Sequence, residues 1–249
     1  MKDDNGPAWL ATVIAHRGAS ADAPENTIAA FTLAADQGAT CVEIDVSISS
    51  DKIPFVHHDD TLDRCTNGSG LLCEQSAESL DKLDASKGMK SFVGEPLPRL
   101  SRVIELLVRR SIGLNIEVKP RKGLESETVE AICNIIESDW PSDLPLVLSS
   151  FNRLALAVAK ERLPDVARGF LVDKLPDDWQ SLIDAYGCRN IHCDESSLSA
   201  NQARMLSEAG LGVYCYTVNN PDAAQTLLAS GVHGVFTDYP QLLMKSLKI

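Results

Sequence analysis

The sequence predicts an α/β fold, a (β/α)8 TIM barrel with a small insertion after strand 2. Three observations carry that expectation. Eight short apolar runs alternate with helix-like segments along the chain. Polar stretches stand at the ends of the early runs, where a barrel gathers them at one mouth. The 249 residues contain no Pro/Gly/Ser-rich linker, so residues 1–249 are expected to form a single domain, with an insertion over about residues 61–98.

Taken in order, Thr12 to Ala15 reads as a buried strand ending at His16. Pro24-Glu25-Asn26-Thr27 opens a helix whose apolar Ile28, Phe31, Ala34 and Ala35 recur at helical spacing until Gly38 stops it. Cys41 to Val46 is the second strand, completing the strand, helix, strand unit of a parallel sheet. Asp51-Lys52 separates two β-like runs too closely for a crossover helix, so Ile53 to Val56 should return as a hairpin and bring His57, His58 and Asp59 near Asp45. Residues 61–98 have weak periodicity and many turn residues. They are expected to form short helices and loops above the barrel mouth, placed to limit substrate size.

From Leu100 the rhythm resumes. Helices are expected over Leu100 to Arg110, Ser126 to Glu137, Asn152 to Leu163 and Asp177 to Tyr186. The strands between them run Gly113 to Val118, Leu144 to Ser149, Val166 to Leu171 and Asn190 to Cys193. Ser199 with Gln202 forms a capping box closed by Gly210, and Asn220-Pro221 caps a helix closed by Gly231. Strands Gly212 to Thr217 and Gly234 to Thr237 complete eight, which favours a closed barrel over an open sheet.

Composition narrows the partners. With 44% apolar and 23% charged residues the chain can bury a core, and a net charge of −12 disfavours nucleic acid and anionic membrane surfaces. An anionic substrate therefore needs a metal ion or local cations. Seven cysteines, an odd number without metal-ligand spacing, read as free buried thiols in a reducing compartment. Met1 to Trp9 carries three charges and no apolar core, and no later stretch approaches the roughly 20 apolar residues of a membrane span. A cytoplasmic protein is expected.

Residues two apart on a strand share a face, so Glu43 and Asp45 present two carboxylates together, and Glu117 and Lys119 repeat the spacing on the next barrel strand. Three crowded carboxylates suit a hard divalent ion, Mg²⁺ or Ca²⁺. The alternative is structural ion pairing, for instance Glu117 with Arg17 or Lys119. His16 and His58 each finish an apolar run beside this acidic cluster and could divide base and acid duties. One of His57 and His58 must point away, and alternation does not choose between them. His192 and His233 have no comparable acidic neighbours and read as structural or solvent-facing. Arg17-Gly18 suits anion binding, whereas Asn67-Gly68-Ser69-Gly70 lacks a phosphate-loop lysine and reads as a plain turn.

Taken together, His16-Arg17-Gly18, Pro24-Glu25-Asn26-Thr27, Glu43-Ile44-Asp45, His58-Asp59-Asp60-Thr61-Leu62-Asp63-Arg64 and Glu117-Val118-Lys119 stand in the order and approximate spacing of glycerophosphodiester phosphodiesterases. Ser149-Ser150-Phe151, Tyr216-Thr217-Val218-Asn219 and Phe236-Thr237-Asp238-Tyr239-Pro240 resemble that family's later signatures. The chain looks most like the bacterial cytosolic members associated with glycerol-3-phosphate uptake. The resemblance implies metal-assisted hydrolysis of a small-molecule glycerophosphodiester to sn-glycerol 3-phosphate and an alcohol. It further implies His16 as general base, His58 as general acid, Glu43, Asp45 and Glu117 as metal ligands, and Arg17 and Lys119 as phosphate contacts. Two positions depart from the family pattern, Tyr216 where many members have tryptophan and His233 where many have aspartate. A phosphodiesterase acting on lysophospholipids, which needs an apolar groove, and a catalytically silent barrel are the rival expectations.

Overall fold

Strands covered on both faces must be apolar on both, which is why the short runs show so little alternation. A computed structural model describes residues 10–86 and 88–249; the Met1 to Trp9 segment lies outside the described residues. The strands are β1 (Val13–His16), β2 (Cys41–Ile48), β3 (Pro54–Val56), β4 (Gly113–Val118), β5 (Leu146–Ser150), β6 (Ala167–Val172), β7 (Asn190–Asp194), β8 (Gly212–Tyr216) and β9 (Gly234–Thr237). The helices are α1 (Ile28–Asp36), α2 (Ala77–Leu80), α3 (Leu100–Arg109), α4 (Glu125–Asp139), α5 (Arg153–Arg162), α6 (Trp179–Tyr186), α7 (Ala200–Glu208), α8 (Pro221–Ala229) and α9 (Pro240–Leu247). Strand order is β1-β9-β8-β7-β6-β5-β4-β2, all parallel, and β1 pairs with β2 to close the barrel. Antiparallel β3 hangs on β2 as the expected hairpin.

Helix α3 illustrates how sequence becomes packing. Leu100, Val103, Ile104 and Leu107 fall on one face and are buried, while Arg102, Glu105 and Arg109 face out. That buried face joins Phe31 and Ala34 of α1, Ile116 of β4 and Ile132 of α4 in one core layer between barrel and helices. Each fully buried Leu, Ile or Phe contributes about 1.5–3 kcal/mol. Caps set the helix starts where the sequence indicated: Thr27 Oγ1 accepts from Ala30 N, Ser199 and Gln202 form the reciprocal box, and Asn220 precedes Pro221. Helix α9 was not foreseen. It lies against α8 and β1, with Leu243 buried.

Residues between β3 and α3 carry α2 and two single 3-10 turns. They bury Leu62, Leu72, Leu80 and Leu97 against Phe55 of β3, so the excursion has its own small apolar cluster seated on the hairpin.

The turn after β1 is the tightest point. Arg17 and Gly18 are both left-handed, with φ of 56° and 85°, and a Cβ on Gly18 would lie 2.7 Å from the backbone carbon of Ala30. Gly70 has a similar φ of 83° but open space around it. Gly18→Ala should therefore lose about 2–4 kcal/mol in urea unfolding and Gly70→Ala only about 1 kcal/mol. Equal losses would mean that Ala30 yields freely.

Candidate active site

The sheet register brings the polar residues together. His16 pairs with Glu43, Glu43 with Asn115, and Asp45 with Glu117, so side chains from β1, β2 and β4 meet at the C-terminal mouth. Glu43, Asp45 and Glu117 each offer a carboxylate oxygen, all within 4.8 Å of one another. Glu43 and Asp45 are buried, and among the described residues Glu43 Oε1 and Asp45 Oδ1 have no hydrogen-bonding partner. Burial, then repulsion from Asp45 and Glu117, pushes the Glu43 carboxyl well above its ordinary range, and burial and Asp45 push Glu117 up to about 7. Buried, unpartnered anionic oxygens converging on one point fit a hard divalent cation. The donor set suits Mg²⁺ and Ca²⁺ alike.

The cations are tied into the same cluster. Arg17 donates its backbone N–H to Glu43 Oε2 at 3.0 Å and Nη1 to Glu25 Oε1 at 2.9 Å. Its Nε lies 3.1 Å from Asp45 Oδ2, close enough for ion pairing though not aligned as a hydrogen bond. Asn26 Nδ2 donates to the same Asp45 oxygen at 2.9 Å. Lys119 Nζ donates to Glu117 at 3.1 Å and stands 3.8 Å from Asp45 Oδ1. Against the penalty of burial, Arg17 and Lys119 hold Asp45 below its usual pKa. The ion pairing of Glu117 with Lys119 is thus present within the acidic triad, and Arg17 turns to Asp45 and Glu25.

Both candidate histidines have a carboxylate behind them. His16 Nδ1 lies 2.8 Å from Asp238 Oδ1, and Asp238 in turn accepts from Ser20 Oγ and Asn219 Nδ2. His58 Nδ1 lies 2.6 Å from Asp59 Oδ1, and Arg64 holds Asp59 through Nε and Nη2. A carboxylate accepts, so each Nδ1 carries the proton and each Nε2 is left for other work. His57 is the one that turns away: it is buried, with Nε2 2.9 Å from the Thr61 carbonyl. Asp238 and Asp59 were quoted in motifs but given no role by sequence reasoning. Adjacency to His58 could have flagged Asp59; nothing local connects Asp238 to His16 across 222 positions.

These groups surround a cavity of about 160 Å³. Its polar side includes His16, His58, Glu43, Glu117, Arg17 and Lys119, and Phe151, Leu171, Tyr216 and Phe236 form an apolar side. None of the described residues of the 61–98 excursion lines it; the excursion reaches the site through Arg64, which pairs with Glu25. His192, expected to be structural or solvent-facing, is buried and lines this cavity. His233 stays structural, its Nδ1 accepting from Val213 N at 2.9 Å.

Residues 16–242 match the model of the glycerophosphoryl diester phosphodiesterase family. The chain belongs to that family. This glycerophosphoryl diester phosphodiesterase family member is 32% identical over 240 residues to a Caldanaerobacter subterraneus glycerophosphodiester phosphodiesterase, covering 93% of this chain and 96% of the other. Its fold superposes on an Oleispira antarctica phosphodiesterase, solved in complex with the product sn-glycerol-3-phosphate, with a TM-score of 0.94 and 41% identity over 96% of this chain and 98% of that one. A glycerophosphodiester phosphodiesterase from Agrobacterium tumefaciens aligns with a TM-score of 0.78 and 26% identity, covering 96% and 100% of the two chains. Among the described residues of this phosphodiesterase no helix is long and apolar enough to cross a membrane.

Glu25 anchors the network, with Arg64 donating twice, at 2.6 and 2.8 Å. Despite burial, Arg64 and Arg17 lower its pKa from 4.5 to about 2. A depressed carboxylate stabilises the fold above its unfolded pKa and loses that contribution as pH falls through its folded one. Wild type should therefore be about 1–2 kcal/mol more stable than Glu25→Gln above pH 5, after discounting for the half-exposed Arg64. Urea unfolding at several pH values should show this gap closing between about pH 4.5 and 2. A gap independent of pH would mean that the charge of Glu25 contributes nothing.

Proposed function

We propose that the enzyme hydrolyses glycerophosphodiesters to sn-glycerol 3-phosphate and an alcohol by metal-assisted general acid/base catalysis with two histidines. One observation carries the reading: two carboxylate-backed histidines flank a carboxylate triad, two of its members buried, beside one cavity. The product held by the Oleispira antarctica relative supports the substrate class. We further propose that residues 1–249, including the excursion over residues 61–98, work as one catalytic domain. Seven free thiols support a cytoplasmic place of work, on a small molecule rather than a nucleic acid or membrane.

Glu43, Asp45 and Glu117 would hold one divalent ion, Mg²⁺ or Ca²⁺. The ion these residues would hold would supply Lewis-acid stabilisation of phosphoryl charge and favour ionisation of the attacking hydroxyl. Arg17 and Lys119 share the negative charge that develops on the phosphoryl oxygens. By family precedent the glycerol 2-hydroxyl attacks phosphorus, the bond to the alcohol oxygen breaks, and water opens the resulting cyclic phosphate. His16 takes the hydroxyl proton through Nε2, with Asp238 steadying the imidazolium. His58 gives a proton to the departing alcohol. Burial lowers the His58 pKa, Asp45 opposes that, and Arg17 and Lys119 add to it, so its protonated form is a ready donor. In the second step the two exchange roles.

Chelation should abolish release of glycerol 3-phosphate, and added Mg²⁺ or Ca²⁺ should restore it. Replacing either histidine by alanine should lower turnover by about a hundredfold to ten-thousandfold with metal still bound. A substrate with a nitrophenolate leaving group, which needs no proton, should rescue His58→Ala and not His16→Ala. Equal rescue of both, or loss of metal in either, would contradict the assignment.

A further inference from the structure

His192 lies in the middle of β7, fully buried, and among the described residues neither ring nitrogen has a hydrogen-bonding partner. The barrel is built to accommodate it. A Cβ on Gly169 of β6 would stand 2.7 Å from His192 Cε1 and 2.8 Å from Nε2, and Tyr214 and Phe236 pack on the ring at centroid distances of 5.4 and 5.0 Å. Burying an imidazole with both nitrogens unpaired is strongly unfavourable, so a position shaped this closely points to a partner from outside the chain. Asn115 of β4 repeats the pattern: Nδ2 donates to Ser149 Oγ at 3.0 Å, while the buried Oδ1 has no partner among the described residues.

Both side chains line the cavity that the histidines and carboxylates enclose. Asn115 stands one inward-facing position before Glu117, and His192 one before Asp194 at the end of its strand, so together they form the cavity's deeper level. Asn190 also has an unpartnered amide but does not line the cavity, so it is not part of this subsite. The two side chains have a definite chemistry. Burial pushes the His192 pKa down to about 3, so the ring is neutral and offers one donor and one acceptor, and the amide oxygen adds an acceptor. That set is poor for a phosphate, which needs donors and positive charge. It matches an alcohol hydroxyl, which accepts from the imidazole N–H and donates to the amide oxygen. Leu171 and Phe236 alongside suit the methylene groups of a short polyol.

We propose that His192, with Asn115, is a specificity-determining subsite that hydrogen-bonds the glycerol hydroxyl farthest from the phosphate. This rests on the glycerophosphodiester reading above. It has a consequence for substrate choice. An acyl chain on that hydroxyl would remove its proton and require room inside the barrel, so the subsite selects deacylated glycerophosphodiesters over lysophospholipids.

The test compares glycerophosphocholine with propane-1,2-diol phosphocholine, which keeps the attacking 2-hydroxyl and lacks the terminal one. Metal-loaded wild type should favour the glycerol substrate by about tenfold to a hundredfold in kcat/KM. His192→Phe should lose that factor on the glycerol substrate, change by less than about threefold on the deoxy substrate, and so lose the preference. His192→Gln, which keeps a donor and an acceptor in a smaller side chain, should retain part of it and decides the matter if the phenylalanine variant does not fold. Undiminished preference in the variants, with both substrates slowed equally, would overturn the proposal and make His192 a packing residue. Absence of preference in wild type would also overturn it. If no form turns over any glycerophosphodiester, the functional reading fails separately. Calorimetric affinities for glycerol 3-phosphate and propane-1,2-diol phosphate then decide the subsite: a wild-type preference lost in the variants supports it, and equal affinities in wild type refute it.

Discussion

Three carboxylates forced within 4.8 Å of one another, two of them buried, are the constraint that the rest of the site answers. Burial and mutual repulsion both disfavour their charge. Part of the answer lies within the chain: Arg17, Lys119 and Asn26 converge on Asp45 and hold it ionised, while Glu43 and Glu117 are pushed toward their neutral forms. Among the described residues Glu43 Oε1 and Asp45 Oδ1 are left without a hydrogen-bonding partner, so the cluster could hold a cation rather than close on itself as an ion-pair network.

Holding Arg17 in place shapes the backbone around it. Its left-handed φ, the glycine that follows, and the left-handed Asn26 fold the β1–α1 loop back over the end of β2. Backbone strain of this kind persists only where surrounding contacts over-determine it. Here the Gly18 contact with Ala30, the Glu25 pair and the Asn26–Asp45 bond all do so. The excursion after β3 belongs to the same support. Arg64 grips Glu25 and Asp59 together, so one guanidinium steadies both the arginine beside the acidic triad and the carboxylate behind His58. The excursion thus braces the site through Arg64.

The cavity has two chemical poles. Near the mouth stand the charged groups, His16, His58, Glu43, Glu117, Arg17 and Lys119. Deeper in, a neutral imidazole and an amide oxygen sit among Leu171, Phe236 and Tyr214. Small residues make this possible. Gly169 clears the space for His192, and a Cβ on Gly234 would meet the Tyr214 ring at 2.9 Å, so glycines in the barrel wall set which large side chains can point inward.

The sequence by itself determined the barrel, its hairpin, most helix boundaries and the identity of the charged residues. Those properties are written in local patterns: eight apolar runs, period-two spacing in Glu43-Ile44-Asp45, and caps such as Ser199 with Gln202 and Asn220 before Pro221. Tertiary structure alone decided how those residues are partnered. Which of His57 and His58 faces the cavity depends on the Thr61 carbonyl that holds His57, and the carboxylate behind His16 comes from the far end of the chain, brought near only because β9 closes the barrel against β1. His192 read as structural because an isolated histidine in an apolar run carries no local signal. Its unpaired nitrogens become visible only when the neighbouring strands surround the ring and supply it with no partner. Local physics fixes period and propensity, whereas desolvation and hydrogen-bond satisfaction are properties of the assembled interior.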